Sequence, residues 1–300
     1  GKEVFLNQLN IDGKTESLCI FGNPVAHSKS PLMHNALFEA LGINAVYIPH
    51  GPTPENLAQA IEGFRALKYR GANVTIPFKT PVMELVDELS DISRFTESVN
   101  TLYWKDGIVG GTLCGTTTDP YGCIHNLEEF GVQPENTSVA LLGNGGAAKA
   151  IAYTLVERNN QLTIVCRARE KGQVLAQVLN KAFKGKAPAV QVATFDEFAK
   201  VSPGIKLIIN ATSVGMTPKV DESPLADRDL TPGQVVCDIV YTPLKTKLLQ
   251  LAESKGCKIV TGEGMLVHQG IESFRKWFPD ETKDKTNDEL AAIMRKGMQG

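Results

Sequence analysis

Short hydrophobic runs alternate along the chain with polar segments and with stretches whose apolar residues have helical spacing. In the first third, apolar runs at 18–21, 45–48 and 71–76 alternate with helical patterns at 30–41 and 54–67. Uninterrupted apolar runs of this length are typical of strands buried in parallel sheets, and their alternation with helices is typical of α/β folds. The pattern therefore predicts a first α/β domain with a mainly parallel sheet.

The same alternation continues beyond residue 138 and predicts a second α/β domain. Two short apolar runs flank Asp106-Gly107, at 101–104 and 108–109, and this pattern predicts a hairpin. A length of 300 residues agrees with two domains, each with its own core. The remaining predicted strands are 139–142, 162–166, 189–193, 206–209, 234–240 and 257–260, and the remaining helices are 121–130, 195–200, 244–255, 262–278 and an exposed one at 287–296.

A glycine-rich turn follows the apolar run at 139–142 and leads directly into a helical pattern. Its residues Gly143, Gly145 and Ala148 match the G-x-G-x-x-A spacing of dinucleotide-binding turns, and a second strand follows at 162–166. In such a turn the glycines permit a tight bend and a close approach of backbone to a pyrophosphate, next to the positive end of a helix. We therefore favour a Rossmann-type nucleotide site over a glycine turn that serves packing alone.

The end of the second strand of this unit indicates which dinucleotide binds. Enzymes that use NAD usually place an Asp or Glu there for the ribose hydroxyls. This chain has Arg167 and Arg169 instead, and guanidinium groups suit a 2′-phosphate. The sequence therefore predicts NADP(H) rather than NAD(H), although a solvated basic loop would give the same letters.

Hydroxyl and amide side chains follow two strands of the first domain. Ser28 and Ser30 come after the first strand, and Asn73, Thr75 and Lys79 lie at the end of the third. Ligands bind beyond the carboxyl ends of strands in such sheets, and this mixture of groups suits a polyhydroxylated carboxylic acid. Single members also have structural interpretations, since Ser30 could cap a helix and Lys79 could be a surface charge.

Composition excludes several functions. A net charge of −2 offers no basic field for nucleic acid or for an anionic membrane, and no apolar run is long enough to span a bilayer. The first residues, Gly1-Lys2-Glu3, lack the features of a signal peptide. Six cysteines and five histidines show no metal-ligand spacing, so we expect no metal site and a reducing cytoplasm.

Eight ordered motifs make the chain resemble the shikimate dehydrogenases, including their quinate/shikimate branch, from about Leu18 to Phe278. The motifs are GNPVAHSKSP at 22–31, NVTIPFK at 73–79, SVNTL at 98–102, TTTDPYG at 116–122, GNGGAAKA at 143–150, NATSVGM at 210–216, DIVYTP at 238–243 and GEGMLVHQ at 262–269.

The resemblance implies a fold and an activity. It implies a substrate-binding domain at 1–118 that is completed by 265–300, a Rossmann-type domain at 119–264, and an active site in the cleft between them. It implies an NADP-dependent oxidoreductase that reversibly reduces 3-dehydroshikimate to shikimate, on the chorismate route of aromatic amino acid biosynthesis. A small-molecule substrate would then be the partner, without nucleic acid or membrane, and a homodimer stays open.

The resemblance also implies a role for individual residues. Lys79 and Asp119 would form the catalytic pair, in which Lys79 acts as acid and base. Asp119 is also predicted to cap the helix at 121–130, because it precedes Pro120. Ser28 and Ser30 would hold the substrate carboxylate, and the other substrate contacts would be Thr75, Asn100, Tyr241 and Gln269. The cofactor contacts would be Gly143, Asn144, Gly145, Gly146, Ala147, Arg167, Arg169, Thr212, Val214, Met216, Val240 and Gly262.

The chain departs from the family pattern at two places. The family usually has Asn-Thr-Asp-Gly where this chain has Thr117 to Pro120, and usually has Asn-Arg-Thr where this chain has Cys166 to Ala168. The second difference removes a polar contact on each side of Arg167 and weakens the predicted preference for NADP. The departures leave open a quinate or dual-substrate dehydrogenase with relaxed cofactor use. A non-catalytic NADP-binding sensor is an alternative from another class.

Overall fold

The computed structural model describes residues 10–300, so the first residues considered for a signal peptide lie outside the described part of the chain. The chain forms two compact units. Unit 1 contains the residues up to Thr117 together with Ser273–Gly300, and unit 2 is Thr118–Glu272. The return to unit 1 therefore falls inside helix α9 (Gly264–Trp277) rather than at its start. The assignment of unit 1 to substrate and unit 2 to cofactor stays a prediction at this point.

Unit 1 has a six-stranded sheet of mixed direction. The middle strand β5 is antiparallel to both its neighbours, whereas the remaining neighbours pair in parallel. Its strands are β1 (Glu16–Phe21), β2 (Ala45–His50), β3 (Gly71–Val74), β4 (Glu88–Leu89), β5 (Thr101–Trp104) and β6 (Leu113–Thr116), in the spatial order β2-β1-β3-β5-β6-β4. Its helices are α1 (Ser30–Leu41), α2 (Leu57–Ala66), α3 (Asp91–Thr96), α10 (Pro279–Thr282), α11 (Asn287–Gln299) and the end of α9.

The last turn of α9 packs directly on the sheet of unit 1. A Cβ atom on Gly71 would lie 2.3 Å from the Trp277 ring, so only glycine leaves room for this side chain. The Trp277 indole nitrogen donates to the Leu102 carbonyl at 2.9 Å, and the ring is buried. The C-terminal segment thus completes the core of unit 1.

Unit 2 has a fully parallel six-stranded sheet. Its strands are β7 (Ser138–Leu142), β8 (Gln161–Cys166), β9 (Gln191–Thr194), β10 (Leu207–Asn210), β11 (Val235–Asp238) and β12 (Lys258–Val260), in the order β12-β11-β10-β7-β8-β9. Its helices are α4 (Asp119–Glu129), α5 (Gly146–Glu157), α6 (Arg169–Ala182), α7 (Phe198–Val201), α8 (Lys247–Ser254) and the start of α9. This order is that of a doubly wound Rossmann-type sheet, and both predicted α/β units are confirmed.

The predicted hairpin at Asp106-Gly107 is wrong in its second strand. Strand β5 pairs with β6, with Trp104 opposite Leu113, and the intervening segment is a loop. Ile108 is 63% exposed in that loop, whereas Leu113 is fully buried. The Asp-Gly pair does mark a turn, but burial of the later apolar run decides which residues form the strand.

Two predicted helix caps are wrong by one residue. Helix α1 begins at Ser30 and its N-cap is Lys29, and helix α4 begins at Asp119 and its N-cap is Thr118. In both helices a proline occupies the first turn. Because proline suits several positions of a first turn, it does not fix the boundary to a single residue.

The predicted exposure of the last helix is also wrong. Helix α11 buries Leu290, Ala291 and Met294 and packs against α1. At Gly297 a Cβ atom would lie 2.5 Å from the Cβ atom of Ala36, so the two helices approach closely there. Its charged residues cover one face, and the apolar stripe at helical spacing forms part of the core.

No helix within residues 10–300 has the length and hydrophobicity needed to cross a membrane. All six cysteines are free and buried. The described part of the chain has no cluster of three His, Cys, Asp or Glu residues arranged to hold a metal ion.

Candidate functional site

The predicted substrate residues of unit 1 gather at one edge of its sheet. Strands β1 and β3 are parallel and end at this edge, where Ser28 and Ser30 follow β1 and Thr75 and Lys79 follow β3. Strand β5 runs in the opposite direction and begins at the same edge, so Asn100 just before it lies there too. The topology thus brings together five side chains that the sequence holds up to 72 positions apart.

The loops that carry these residues are tied to one another by backbone contacts. Asn23 N donates to the Ile76 carbonyl at 3.1 Å, and Thr75 N donates to the Phe21 carbonyl at 2.9 Å. A Cβ atom on Gly22 would lie 2.3 Å from Thr75 Cγ2, so glycine is required for the close approach of the two loops. Together these contacts fix Thr75 against the loop that leads to the two serines.

The two serines form a compact turn at the start of α1. Ser28 Oγ accepts a hydrogen bond from Ser30 N at 3.2 Å, and it is therefore Ser28, not Ser30, that serves the free N–H at the helix start. Ser28 is half-buried and Ser30 is 7% exposed. Hydroxyls next to free N–H groups at a helix start are suited to bind a carboxylate.

Lys79 lies beside the segment that carries Asn100. The Lys79 carbonyl accepts a hydrogen bond from Val99 N at 2.9 Å, and Asn100 N donates to the Thr116 carbonyl at 3.0 Å. The Lys79 side chain is half-buried. Asp119, its predicted catalytic partner, is a half-buried residue of unit 2 at the first position of α4.

A buried histidine lies beneath this edge of unit 1. The His34 ring is fully buried and stacks on Tyr47 with 4.6 Å between ring centres. Burial lowers the pKa of His34 to about 3, and nearby Asn73 opposes this shift. Neither ring nitrogen forms a hydrogen bond with a residue between 10 and 300. His34 is therefore neutral at physiological pH.

In unit 2 the strand order reverses direction between β7 and β10, and the predicted cofactor residues Gly143 and Thr212 follow these two strands. In open parallel sheets, ligands bind at the carboxyl edge at such a reversal. Gly143 follows β7 with φ of 110°, and a Cβ atom there would lie 3.0 Å from Thr212 Cγ2. Glycine is thus required both by the backbone conformation and by the neighbouring loop.

The turn after Gly143 fits the pyrophosphate of a dinucleotide. Gly145 is the N-cap of α5, and a Cβ atom on Gly145 or Gly146 would have no neighbour within 4 Å. Asn144 and Ala147 are exposed as well, whereas Ala148 is fully buried against the sheet. The helix start therefore presents N–H groups to open space, as a phosphate site needs.

The two arginines predicted to contact the cofactor have different surroundings. Arg167 is exposed, and its guanidinium has no hydrogen bond or ion pair with another described residue. Arg169 pairs with Glu197 and donates to the Val192 carbonyl at 3.2 Å. Arg169 is therefore engaged within its own unit. Cys166 is buried, and its Sγ lies 2.6 Å from the position a Cβ on Gly172 would take.

A buried carboxylate joins the loops that follow β10 and β11. Asp238 Oδ1 accepts from Asn210 Nδ2 at 2.9 Å and from Val240 N at 3.0 Å, and Oδ2 accepts from Thr246 Oγ1 at 2.7 Å. Asn210 Oδ1 in turn accepts from Thr212 Oγ1 at 2.7 Å. Burial raises the pKa of Asp238 to about 6, and these hydrogen bonds oppose the shift.

This carboxylate holds several predicted cofactor residues. Thr212 and Val240 are bonded directly to the cluster, and Val214 N donates to Thr212 Oγ1 at 3.2 Å. A Cβ atom on Gly262 would lie 2.5 Å from the Asp238 carbonyl oxygen. Asp238 is absent from the predicted site, although a charge inside the apolar segment 235–240 was a signal for it.

The other predicted residues of unit 2 differ in accessibility. Met216 is 48% exposed and Tyr241 is 49% exposed, whereas Val240 is 6% exposed. Gln269 lies on α9 and is half-buried, and its Nε2 donates to the Leu266 carbonyl at 2.7 Å. Thr117, at the departure from the family motif, is buried at 2% exposure.

These features define a class of protein. A doubly wound parallel sheet with a glycine turn at a helix start and an arginine after its second strand is a dinucleotide-binding unit. A second α/β unit with hydroxyl, amide and lysine side chains at one sheet edge supplies groups for a polar substrate. The class is that of two-domain oxidoreductases that use a nicotinamide dinucleotide.

Comparison with known proteins gives the family. A model of the shikimate dehydrogenase substrate binding domain matches residues 20–102. Shikimate dehydrogenase (NADP(+)) from Methanothermobacter thermautotrophicus is 39% identical over 292 residues, which are 95% of this chain and 99% of that protein. The chain belongs to the shikimate dehydrogenase family.

Solved structures agree with this membership. Shikimate 5-dehydrogenase from Listeria monocytogenes, in complex with shikimate and NAD, has a TM-score of 0.83 and 31% identity, covering 95% of this chain and 98% of that one. Quinate dehydrogenase from Corynebacterium glutamicum, in complex with NAD, has a TM-score of 0.77 and 27% identity, covering 94% and 99%.

Proposed function

We propose that this protein is an NADP-dependent dehydrogenase that interconverts 3-dehydroshikimate and shikimate in aromatic amino acid biosynthesis. The observation that carries the proposal is the gathering of Ser28, Ser30, Thr75, Lys79 and Asn100 at one sheet edge of unit 1. Similarity to shikimate dehydrogenases (NADP(+)) over nearly the full length of both chains supports it.

Substrate binding is assigned to groups of matching chemistry. Ser28 and Ser30, at the start of α1, bind the carboxylate of shikimate. Thr75, Asn100 and Gln269 bind ring hydroxyls through hydroxyl and amide groups, and Tyr241 is a further substrate contact. The four of these residues that lie in unit 1 are buried or half-buried, and exclusion of water strengthens the hydrogen bonds that they form. They are Ser28, Ser30, Thr75 and Asn100.

Lys79 and Asp119 carry the proton chemistry in this proposal. When shikimate is oxidised, the Lys79 amine takes the proton of the reacting hydroxyl as the carbon loses hydride. When the ketone is reduced, the Lys79 ammonium returns a proton to the oxygen. Asp119 orients the Lys79 amine and the substrate hydroxyl.

Cofactor binding is assigned to unit 2. NADP supplies hydride acceptance and donation when bound. Gly143, Asn144, Gly145, Gly146 and Ala147 hold the pyrophosphate, and Arg167 holds the 2′-phosphate. Arg169, which pairs with Glu197, supports this loop from within unit 2. The nicotinamide side is lined by Thr212, Val214, Met216, Val240 and Gly262.

Lys79→Ala tests the proposed chemistry. We expect kcat for shikimate oxidation, followed at the NADPH absorbance band, to fall by roughly 100-fold or more while the substrate KM stays within a few-fold. Lys14→Ala, at an exposed lysine of unit 1, serves as the matched control and should keep wild-type kinetics. Near-normal kcat in Lys79→Ala would remove Lys79 from the mechanism.

Quinate oxidation is the second candidate function. It is favoured by the likeness to a quinate dehydrogenase in complex with NAD and by the replaced polar neighbours of Arg167. Quinate has a saturated ring and an added hydroxyl at the carbon that bears the carboxylate, so the turn of Ser28 and Ser30 would discriminate between the two acids. Comparison of kcat/KM for shikimate and quinate distinguishes these functions.

A non-catalytic NADP-binding sensor is the remaining alternative. It has no need of a lysine and a carboxylate at the positions of Lys79 and Asp119, and the presence of both argues against it. Tight NADPH binding without turnover of either hydroxy acid would support the sensor.

The cellular setting follows from the same proposal. Six free, buried cysteines support a reducing cytoplasm as the location. A small-molecule substrate is the proposed partner, and the net charge of −2 gives no support to nucleic-acid binding. A homodimer is compatible with this function, and size-exclusion chromatography with light scattering would test it.

A further inference from the structure

Five polar side chains, Asn100 among them, form a buried cluster in unit 1. They come from four segments that meet where β2, β3 and β5 lie next to the end of α9. Each is at most 5% exposed. The cluster consists of Tyr47, Asn73, Asn100, Thr101 and Ser273.

The orientation of the Asn73 amide in this cluster is fixed by its partners. The Tyr47 hydroxyl donates to Asn73 Oδ1 at 2.7 Å. Asn73 Nδ2 donates to the Asn100 backbone carbonyl at 3.1 Å, and a carbonyl accepts hydrogen bonds but cannot donate them. Asn73 Nδ2 also donates to Ser273 Oγ at 3.1 Å and, over a longer distance, to Thr101 Oγ1. Asn73 is therefore a donor to both hydroxyls.

Thr101 receives hydrogen bonds on one side and donates on the other. Its Oγ1 lies 2.7 Å from Ser273 Oγ and accepts a longer hydrogen bond from Asn73 Nδ2 at 3.4 Å. Its own proton goes to Asn100 Oδ1 at 2.7 Å. A hydroxyl has one proton and two lone pairs, so Thr101, with its proton on Asn100 Oδ1, can only accept from Asn73 and Ser273.

The Asn100 amide is thereby held in one of its two orientations, the one in which Oδ1 faces Thr101. A flip would place the Nδ2 group of Asn100 against a hydroxyl whose lone pairs already face two donors, and it would leave the Thr101 proton without the Oδ1 acceptor. Because Thr101 and Ser273 are fully buried, water cannot easily replace the lost partner.

We propose that Thr101, supported by Ser273 and Asn73, is a positioning residue that turns the Nδ2 edge of Asn100 toward the substrate as a hydrogen-bond donor. This inference rests on the proposed role of Asn100 in binding a substrate hydroxyl. It adds that the hydroxyl must accept the bond from Asn100, and that residues without substrate contact determine this polarity.

A double-mutant cycle between Thr101 and Asn100 tests the inference. Thr101→Val removes the hydroxyl and keeps the branched shape, and we expect it to raise KM for shikimate about tenfold with kcat and KM for NADP+ within about twofold. In the Asn100→Ala background the same change should alter KM by less than about twofold, because its target is gone. Thr101→Ser keeps the hydroxyl and should restore a KM near that of the wild type.

A merely structural role would give a different pattern. In that case Thr101→Val would lower Tm without changing KM, or would raise KM by the same factor in the wild-type and Asn100→Ala backgrounds. Either result overturns the inference. Thr163→Val removes a buried hydroxyl from β8 of unit 2 and serves as the control, with KM for shikimate expected to stay unchanged.

Ser273→Ala keeps the inference testable if Thr101→Val does not fold. We expect about a threefold rise in KM for shikimate in the wild-type background and no further rise with Asn100→Ala. Equal rises in both backgrounds, or none, would overturn the inference. Absence of shikimate turnover by the wild-type protein would instead contradict the proposed function. The wild-type protein is therefore assayed before any variant.

Discussion

The two units support their functional loops in different ways. In unit 1 the side chains behind the predicted substrate edge are neutral, with hydroxyls and amides around Asn73 and Thr101 and an uncharged His34 beneath them. In unit 2 the loops after β10 and β11 depend on one buried carboxylate, Asp238. A neutral cluster keeps its hydrogen-bond directions over a wide pH range, whereas a buried carboxylate loses or gains charge.

The difference has a consequence for pH dependence. His34 is a base whose pKa is lowered in the folded protein, and Asp238 is an acid whose pKa is raised. In both cases burial favours the uncharged form. Acidification therefore destabilises unit 1 through His34 and stabilises unit 2 through Asp238, so one molecule contains two opposite responses.

Among the variants that compare the two units, the largest expected effect separates cofactor recognition from substrate recognition. We expect Arg167→Ala to lower kcat/KM for NADP+ about 30-fold, because a charge-assisted contact with the 2′-phosphate is lost, while KM for shikimate stays within about twofold. Steady-state kinetics with each substrate varied in turn would measure this.

Arg169→Ala is the matched control within the same loop. Because Arg169 is engaged with Glu197, its loss should change kcat/KM for NADP+ by no more than about threefold. A loss as large as that of Arg167→Ala would show that the ion pair opens and that both arginines hold the cofactor.

The next prediction is for a variant of unit 1 that should affect substrate recognition and leave cofactor recognition unchanged. Gly22→Ala places a methyl group 2.3 Å from the present position of Thr75 Cγ2, so one of the two loops must shift. We expect KM for shikimate to rise about tenfold with KM for NADP+ unchanged. Gly63→Ala, where the added Cβ would meet no atom within 4 Å, is the control. Equal rises in both KM values would contradict the separation of roles.

His34→Phe tests the response of unit 1 to acid. The pKa of His34 is about 3 in the folded protein and 6.5 ordinarily, so its contribution is complete above pH 6.5 and falls below it. Between pH 7.5 and 5.5 the wild type should lose about 1.4 kcal/mol of unfolding free energy that the variant keeps. Both tryptophans, Trp104 and Trp277, lie in unit 1, so fluorescence during urea unfolding measures this unit.

An equal pH dependence in His34→Phe and the wild type would contradict the neutral, buried state of His34. A variant that is less stable at both pH values by the same amount would indicate lost packing only. The pH dependence, not the absolute stability, therefore decides this test.

Asp238→Asn tests unit 2 and should give the smallest effect. The folded pKa of about 6 exceeds the ordinary 3.8, so the folded unit binds a proton more tightly and its stability rises as pH falls through 6. Asparagine should abolish this rise, which is about 1 kcal/mol at pH 5.5. Amide hydrogen exchange in β10 and β11, corrected for intrinsic rates, measures this rise in the stability of unit 2. If the stability of the variant still rises as pH falls, Asp238 is not the source of the effect.

Local sequence patterns predict most of the fold because each element has its own signal. Apolar runs predict the strands, and the G-x-G-x-x-A spacing after β7 predicts the glycine turn. Gly143 has the positive φ that this turn requires. The Asp106-Gly107 pair gives a turn but not the partner strand, since pairing of β5 with β6 depends on burial of Leu113. Burial of α11 was signalled by the spacing of Leu290 and Met294.

The polar clusters could not be predicted in the same way. Asn73 and Ser273 are 200 positions apart and meet only because α9 returns to the sheet of unit 1. A single serine on a helix has no distinctive pattern, so its role is visible only in three dimensions. The motifs predict which residues contact the substrate, whereas the side chains that support those residues depend on tertiary packing.

The most direct test of the proposed function is turnover of the wild-type protein with four pairs of reagents. Shikimate or quinate would be combined with NADP+ or NAD+, and reduced cofactor would be followed by absorbance. We expect kcat/KM for shikimate with NADP+ to exceed that of each other pair. Preference for quinate or for NAD+ would assign the chain to another branch of the family, and absence of turnover with all four pairs would contradict the proposed function.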